Sequence, residues 1–463
     1  MTPPCELSAQ EARRQIANAT LSVSALLESC IARIEERNPE VNAVVATCYD
    51  SARREAAEMD ASRDSLAELP LLFGLPVLIK DLIDTKELTT TYGSLCFDQY
   101  VPEEDAAIVR KLRQAGAIIL GKTNTPEFGA GANTFNKVYG ATRNPYDIRL
   151  TCGGSSGGSA VAVACGMAPL AIGSDFGGSL RIPASFCGIV GMRPTPGRVP
   201  CTSLAVGNSP LWTEGPMART VADAALCMAA IEGYTPADQR AVPLSEPTTL
   251  SAIDLKGVSV GVSADLGVAQ LDHAIRETFE TVISKVSGVF FRIERLDPDL
   301  SAASDIFETI RVTDTYATAH ELMETQADKL GDNIRKNLSQ AEKLSLIDVA
   351  KASAAHTVLF KKFQRIFETQ DILIVPATAV SPFPVEHAFP SAINGEPIDD
   401  YFAWYAVTWT LSLVGCPIVT VPAGKDHNGM PFGIQVIAPR HRDGLAFSVA
   451  AALETALEKL GVT

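Results

Sequence analysis

A chain of 463 residues that is 46% hydrophobic is long enough to bury one large core or two. Its 39 basic residues against 54 acidic ones leave a formal charge of −15, which repels phosphate backbones and anionic bilayers and so argues against direct nucleic-acid binding and against attachment to a membrane surface. Ten cysteines, scattered from Cys5 to Cys416 without a Cys-x-x-Cys pair, offer no zinc framework and read as reduced, buried thiols.

Glu6 and Glu11 precede any apolar run, so the start of the chain lacks the features of a secretory signal, and a cytoplasmic protein is expected. Ser8-Ala9-Gln10-Glu11 has capping-box spacing, and Val23, Leu26, Leu27, Cys30, Ile31 and Ile34 then share one helical face; residues 1–69 read as an N-terminal helical segment. Over 70–230 short apolar runs (76–79, 117–120, 170–173) alternate with helical segments (106–114, 159–165), the texture of a sheet core. Residues 231–370 carry one strand-like run at 258–262 and then charged helices, and read as a peripheral helical layer. Strand-like runs return at 372–375 and 418–421, and a helix at about 446–460 closes the part spanning 371–463. Two uncharged stretches, 157–174 and 401–424, are broken by glycine and proline and contain serine or threonine, so each reads as a buried helix followed by a buried strand and not as a membrane span. With no repeat, low-complexity tract or linker, residues 1–463 form one expected domain. Its class is α/β: a large, mostly parallel, twisted mixed sheet covered by helices on both faces.

Two glycine-serine loops carry the chemical signal. They are Gly153-Gly154-Ser155-Ser156-Gly157-Gly158-Ser159 and Gly173-Ser174-Asp175-Phe176-Gly177-Gly178-Ser179-Leu180-Arg181. Such loops turn tightly and aim backbone N–H groups at one point, which suits an anion. Neither contains the lysine of a phosphate-binding P-loop, so the fitting anion is the transient oxyanion of a tetrahedral intermediate beside a nucleophilic hydroxyl. A nucleophilic serine needs a base. The six histidines (His273, His320, His356, His387, His427, His441) all lie late in the chain and in no recognised motif. Lys80, at the end of the apolar run Leu75-Pro76-Val77-Leu78-Ile79, serves if burial keeps its amine neutral; the alternative is a snorkelling lysine at a strand end.

At these residues the chain resembles the amidase signature family. Gly74-Leu-Pro-Val-Leu-Ile-Lys80-Asp81, Gly153 to Ser159 and Gly173 to Ala184 match its three catalytic blocks in order. Further matches are Gly121-Lys-Thr-Asn-Thr-Pro-Glu-Phe128, Arg143-Asn-Pro-Tyr146, Gly215-Pro-Met-Ala-Arg219, Gly415-Cys-Pro417 and Val421-Pro-Ala-Gly424. The resemblance implies Ser179 as nucleophile, Ser155 as proton relay on a cis peptide after Gly154, and Lys80 as base. It implies an oxyanion hole from the N–H groups of Phe176, Gly177, Gly178 and Ser179, with Asp175 and Arg181 shaping the loop. Ser156, Ser159 and Ser174 read as helix caps or turn ties. No cofactor and no metal is expected. The expected partner is a small-molecule amide-like substrate, with no direct nucleic acid and no membrane, and a homodimer stays open. One departure is Cys152, where the family commonly has proline; a thiol nucleophile there has nothing beside it to lower its pKa.

The function implied is an amidohydrolase cleaving a carboxamide or related C–N bond, including an aryl amide, carbamate or ester, through a Ser179 acyl-enzyme. The alternative is the glutaminase A subunit of a tRNA-dependent amidotransferase complex, against which Pro210-Leu-Trp-Thr-Glu-Gly-Pro216 lacks the Leu-Asp-Gln-Ile-Gly-Pro typical of those subunits. A catalytically dead binding protein would have lost a triad member, and none is lost. Tyr401, Phe402, Trp404, Tyr405 and Trp409 are spaced as core residues; any that face the cleft favour an apolar or aromatic substrate group.

Overall fold

The computed structural model describes residues 2–202, 204–243, 247–398 and 400–463. Local chemistry sets the first helices: Ser8 Oγ accepts the Glu11 N–H at 3.1 Å at the start of Ala9–Ala17, and the apolar face of Val23–Val41 is buried along its length.

The strands, in chain order, are β1 (Val44–Thr47), β2 (Pro76–Lys80), β3 (Ile118–Thr123), β4 (Phe135–Asn136), β5 (Gly140–Ala141), β6 (Leu170–Asp175), β7 (Val190–Arg193), β8 (Thr213–Ala218), β9 (Ser259–Val262), β10 (Arg292–Arg295), β11 (Ile372–Pro376), β12 (Ala392–Ile393), β13 (Glu396–Pro397), β14 (Ile418–Lys425) and β15 (Pro431–Ile437). Eleven of them make one sheet in the order β1-β3-β2-β6-β8-β7-β14-β15-β11-β9-β10, while β4 with β5 and β12 with β13 form separate ribbons. In β2, β3, β6, β8, β11 and β15 every residue is buried. Successive side chains point to opposite faces, so helices must cover both, as the sequence leads one to expect.

The sheet is mixed, and parallel pairing does not dominate it. β3, β2 and β6 run parallel, as do β11, β9 and β10, but from β6 through β8, β7, β14 and β15 to β11 every pair is antiparallel. An apolar run reports burial on two faces and not the direction of its neighbour, which is why the sequence overweights parallel pairing. The segment 231–370 is likewise more than a helical layer, since β9 and β10 form one edge of the sheet. The two uncharged stretches become Gly157–Ala164 followed by β6, and Ala406–Ser412 followed by β14. Among the described residues no helix is long and apolar enough to cross a membrane.

Helix Gly157–Ala164 lies against β2, β3, β6 and β8, which fixes the loop before it at the C-terminal ends of β2 and β6. Gly158 permits this approach: a Cβ there would sit 2.3 Å from Asn124 N and 2.7 Å from Ala43 O, both backbone atoms that cannot yield.

Candidate active site

Lys80 ends β2 and is fully buried. Its amine meets three hydroxyls, Ser155 Oγ at 2.6 Å, Ser174 Oγ at 2.9 Å and Ser156 Oγ at 3.0 Å. Among the described residues no carboxylate lies within ion-pair distance of it. Burial therefore drives its pKa well below the usual lysine value, against the weaker pull of Asp175 and Glu214. Displacement in that direction favours the neutral amine, the form whose lone pair can accept a proton.

Ser155 follows a cis peptide bond from Gly154. The loop around it is pinned by two threonines: Thr134 Oγ1 donates to Gly153 O at 2.9 Å and accepts from Gly157 N at 3.2 Å, and Thr151 Oγ1 accepts from Gly153 N at 3.0 Å. Ser156 and Ser174 are not the caps or turn ties expected of them. Ser156 precedes helix Gly157–Ala164 without capping it, and its hydroxyl instead donates to Ser174 O at 3.0 Å while meeting the lysine. Ser159 keeps a structural role, bonding Thr123 Oγ1 at 2.6 Å and Ile172 O at 3.0 Å.

The loop that carries Ser179 is organised by Asp175. Its carboxylate accepts from Gly178 N and Leu180 N at 3.0 Å each, from Arg181 at 3.0 and 2.9 Å, and from Arg193 at 2.9 Å. Burial alone would raise the Asp175 pKa, but Arg181 and Arg193 outweigh it and hold the carboxyl well below its ordinary range. Arg193 has no place in the sequence reading; it comes from β7, brought alongside by the fold. Gly178 also departs from expectation as an oxyanion donor, because its N–H is committed to Asp175. Its φ of +136° and the 2.5 Å that would separate an added Cβ from Thr408 Oγ1 explain why glycine stands there. The N–H groups of Phe176, Gly177 and Ser179 donate to no acceptor among the described residues. Ser156 N donates to Ser179 O at 3.3 Å, tying the two serine loops together.

Ser179, Phe176 and Gly177 line a cavity of about 1330 Å³, its open mouth included. Leu82, Phe128 and Ile182 are among its apolar lining, and helices Ala303–Thr325 and Asp332–Ala341 contribute Phe307 and Ile334 to it. The aromatic cluster divides. Tyr401, Phe402 and Tyr405 line the cavity, whereas Trp404 stacks on Phe186 and Trp409 stacks on Phe307 with ring centres 6.4 and 4.9 Å apart. Glu214, the register partner of Ser174, shares its face of the sheet, and burial pushes its carboxyl up to about 8. Among the described residues no histidine lines the cavity.

Two rival groups are placed away from this chemistry. Lys122, also fully buried, donates to Ile83 O and Thr90 Oγ1 at 2.5 and 2.9 Å, lies 3.9 Å from Asp81, and its amine hydrogen-bonds no serine among the described residues. It holds the loop after β2 in place. Cys152 is buried, its thiol is pushed up to about 12 by desolvation, and it is absent from the cavity lining.

Comparison with known proteins gives a consistent picture. The sequence profile of the family described as Amidase matches residues 25–446. An acylamidase of Rhodococcus erythropolis is 33% identical over 453 residues, covering 97% of this chain and 95% of that protein. The A subunit of the glutamyl-tRNA(Gln) amidotransferase of Halalkalibacterium halodurans is 34% identical over 483 residues, covering 98% of each. Among solved structures, a bacterial aryl acylamidase of the amidase signature enzymes superposes with a TM-score of 0.91 at 28% identity, covering 98% of each chain.

Proposed function

This chain belongs to the Amidase family and is an amidase, a hydrolase of carbon–nitrogen bonds, and from that premise we propose that it cleaves small carboxamides, aryl amides among them, through an acyl-enzyme on Ser179. The observation that carries the reading is the desolvated amine of Lys80 hydrogen-bonded to Ser155, next to a serine loop with three unengaged N–H groups.

In the proposed cycle Ser155 passes a proton to Lys80 as it takes one from Ser179, whose oxygen attacks the amide carbon. The N–H groups of Phe176, Gly177 and Ser179 hold the oxyanion. Collapse of the tetrahedral intermediate breaks the C–N bond; the departing nitrogen takes the proton from Ser155, and Lys80 reprotonates Ser155. Water then repeats the steps on the ester, releasing the acid and restoring Ser179. The apolar and aromatic cavity wall supports an apolar or aromatic group on the substrate.

We place the enzyme in the cytoplasm as a free-standing single-domain catalyst. Its ten cysteines are all unpaired, and strands from Val44 to Ile437 share one sheet. The second reading, as the glutaminase component of an amidotransferase, has the support of that relative's full-length similarity. Trp212 and Glu214 weigh against it, since both line the cavity within a segment that departs from the pattern of those proteins. Purified chain, assayed alone for ammonia release from glutamine and for cleavage of acetanilides with Ser179→Ala as control, separates the two. Turnover of anilides without glutaminase activity supports the amidase; glutamine hydrolysis without anilide turnover overturns it.

A further inference from the structure

Arg311 lines the same cavity as Ser179, is only 7% exposed, and forms no ion pair among the described residues. Its guanidinium bonds neutral amide oxygens instead, those of Asn337 and, at 3.3 Å, Gln340, and its carbon lies 4.1 Å from the centre of the Phe402 ring. Its Nε–H is buried without a partner among the described residues. Glu308 and Asp400 are near enough to act on it electrostatically, but neither bonds it. Asp314, one turn along, also lines the cavity and is occupied by the Ser209 hydroxyl at 2.5 Å. A buried cation of fixed geometry with no bonded counter-ion is costly to maintain unless a ligand neutralises it.

Position sets the distance to the chemistry. Phe307 packs against the nucleophile loop, its ring edge 3.1 Å from where a Cβ on Gly177 would stand. Arg311 follows four residues later on the same helix, which is about 6 Å along the axis, the span of one aromatic ring. We propose that Arg311 is an anion subsite, and that the substrates are amides with an apolar or aromatic body ending in a carboxylate about one ring beyond the scissile carbonyl. The inference rests on the amidase reading and names its substrate class. Paired charge-assisted hydrogen bonds from Arg to carboxylate are the geometry such a subsite provides.

Binding to the Ser179→Ala protein tests the subsite without requiring turnover. Two matched pairs serve as ligands: 4-acetamidobenzoate against 4-methylacetanilide, with the carboxylate on the amine side, and glutaranilate against valeranilide, with it on the acyl side. Calorimetry should show at least one anionic member binding tenfold or more tightly than its neutral partner. The preference should collapse to under threefold in Ser179→Ala/Arg311→Gln, and thermal melting of both proteins checks that they are folded. Equal affinity within each pair in Ser179→Ala overturns the subsite without use of the Arg311 variant, as does a preference that survives Arg311→Gln. Either failure leaves the amidase reading standing, because that reading is tested by turnover of the neutral anilides in wild type.

Discussion

Lys80 Nζ lies 2.6 Å from Ser155 Oγ in a pocket of hydroxyls, with no carboxylate among the described residues close enough to hold a proton on the amine. If that amine is the base, both Lys80→Ala and Lys80→Arg should lower kcat by about 10³-fold or more, the scale of general-base catalysis, because arginine keeps a charge and cannot deprotonate. Steady-state assays check this. A lysine that only fills space would tolerate arginine with modest loss.

The pH profile follows from the same contact. Activity requires the neutral amine, so kcat/KM should rise with pH through the titration of the coupled lysine-serine set. Burial pushes the Glu214 carboxyl up to about 8, and once ionised its negative charge favours protonated Lys80. Removing that charge with Glu214→Gln lowers the lysine's proton affinity, so the rising limb should move to lower pH. The pH dependence of kcat/KM for wild type and variant reads the shift directly, and a limb that moves upward contradicts the electrostatic account.

Ser156 and Ser174 hold the amine at 3.0 and 2.9 Å and orient its lone pair toward Ser155. Ser156→Ala and Ser174→Ala should each reduce kcat by about 10- to 100-fold with little change in KM, since a small misplacement of a reacting group has that scale of effect. Comparing kcat and KM for the two variants checks it.

Among the described residues Asp175 is the sole carboxylate bonded to the buried guanidinium groups of Arg181 and Arg193. Asp175→Asn strands two buried cations and should cost about 3–5 kcal/mol of stability in urea unfolding. Its folded pKa lies below its unfolded one. The stabilising contribution is therefore fully present above the unfolded carboxylate range and is lost as pH falls below about 4 toward the folded value. Unfolding free energies across acid pH should show wild type losing stability in that window and Asp175→Asn losing less.

The two glycine-serine loops and Lys80 are legible in the sequence because their signal is local: glycine and serine at fixed spacing, and a lysine ending an apolar run, are visible without a fold. The partners of Lys80 are only half legible. Ser156 and Ser174 sit where caps and turns are common, and only the adjacency of β2 and β6 turns them toward the amine. Arg193 and Arg311 are invisible for the same reason, since each reaches its place across the chain from β7 or from helix Ala303–Thr325. Gly178 misleads because a glycine-rich loop announces free N–H groups without showing which of them its own aspartate takes. Among the aromatics, spacing cannot separate Tyr401, Phe402 and Tyr405 in the cavity from Trp404 in the core.

In the proposed mechanism Ser179 becomes acylated by a route that needs Lys80. Quenching the enzyme during turnover of a slowly deacylated aryl ester, followed by peptide mass mapping, tests it most directly. The acyl group should be found on the peptide containing Ser179 in wild type and be absent in Ser179→Ala and Lys80→Ala. An acyl group on Cys152 or Ser155, or undiminished acylation in Lys80→Ala, would contradict the account.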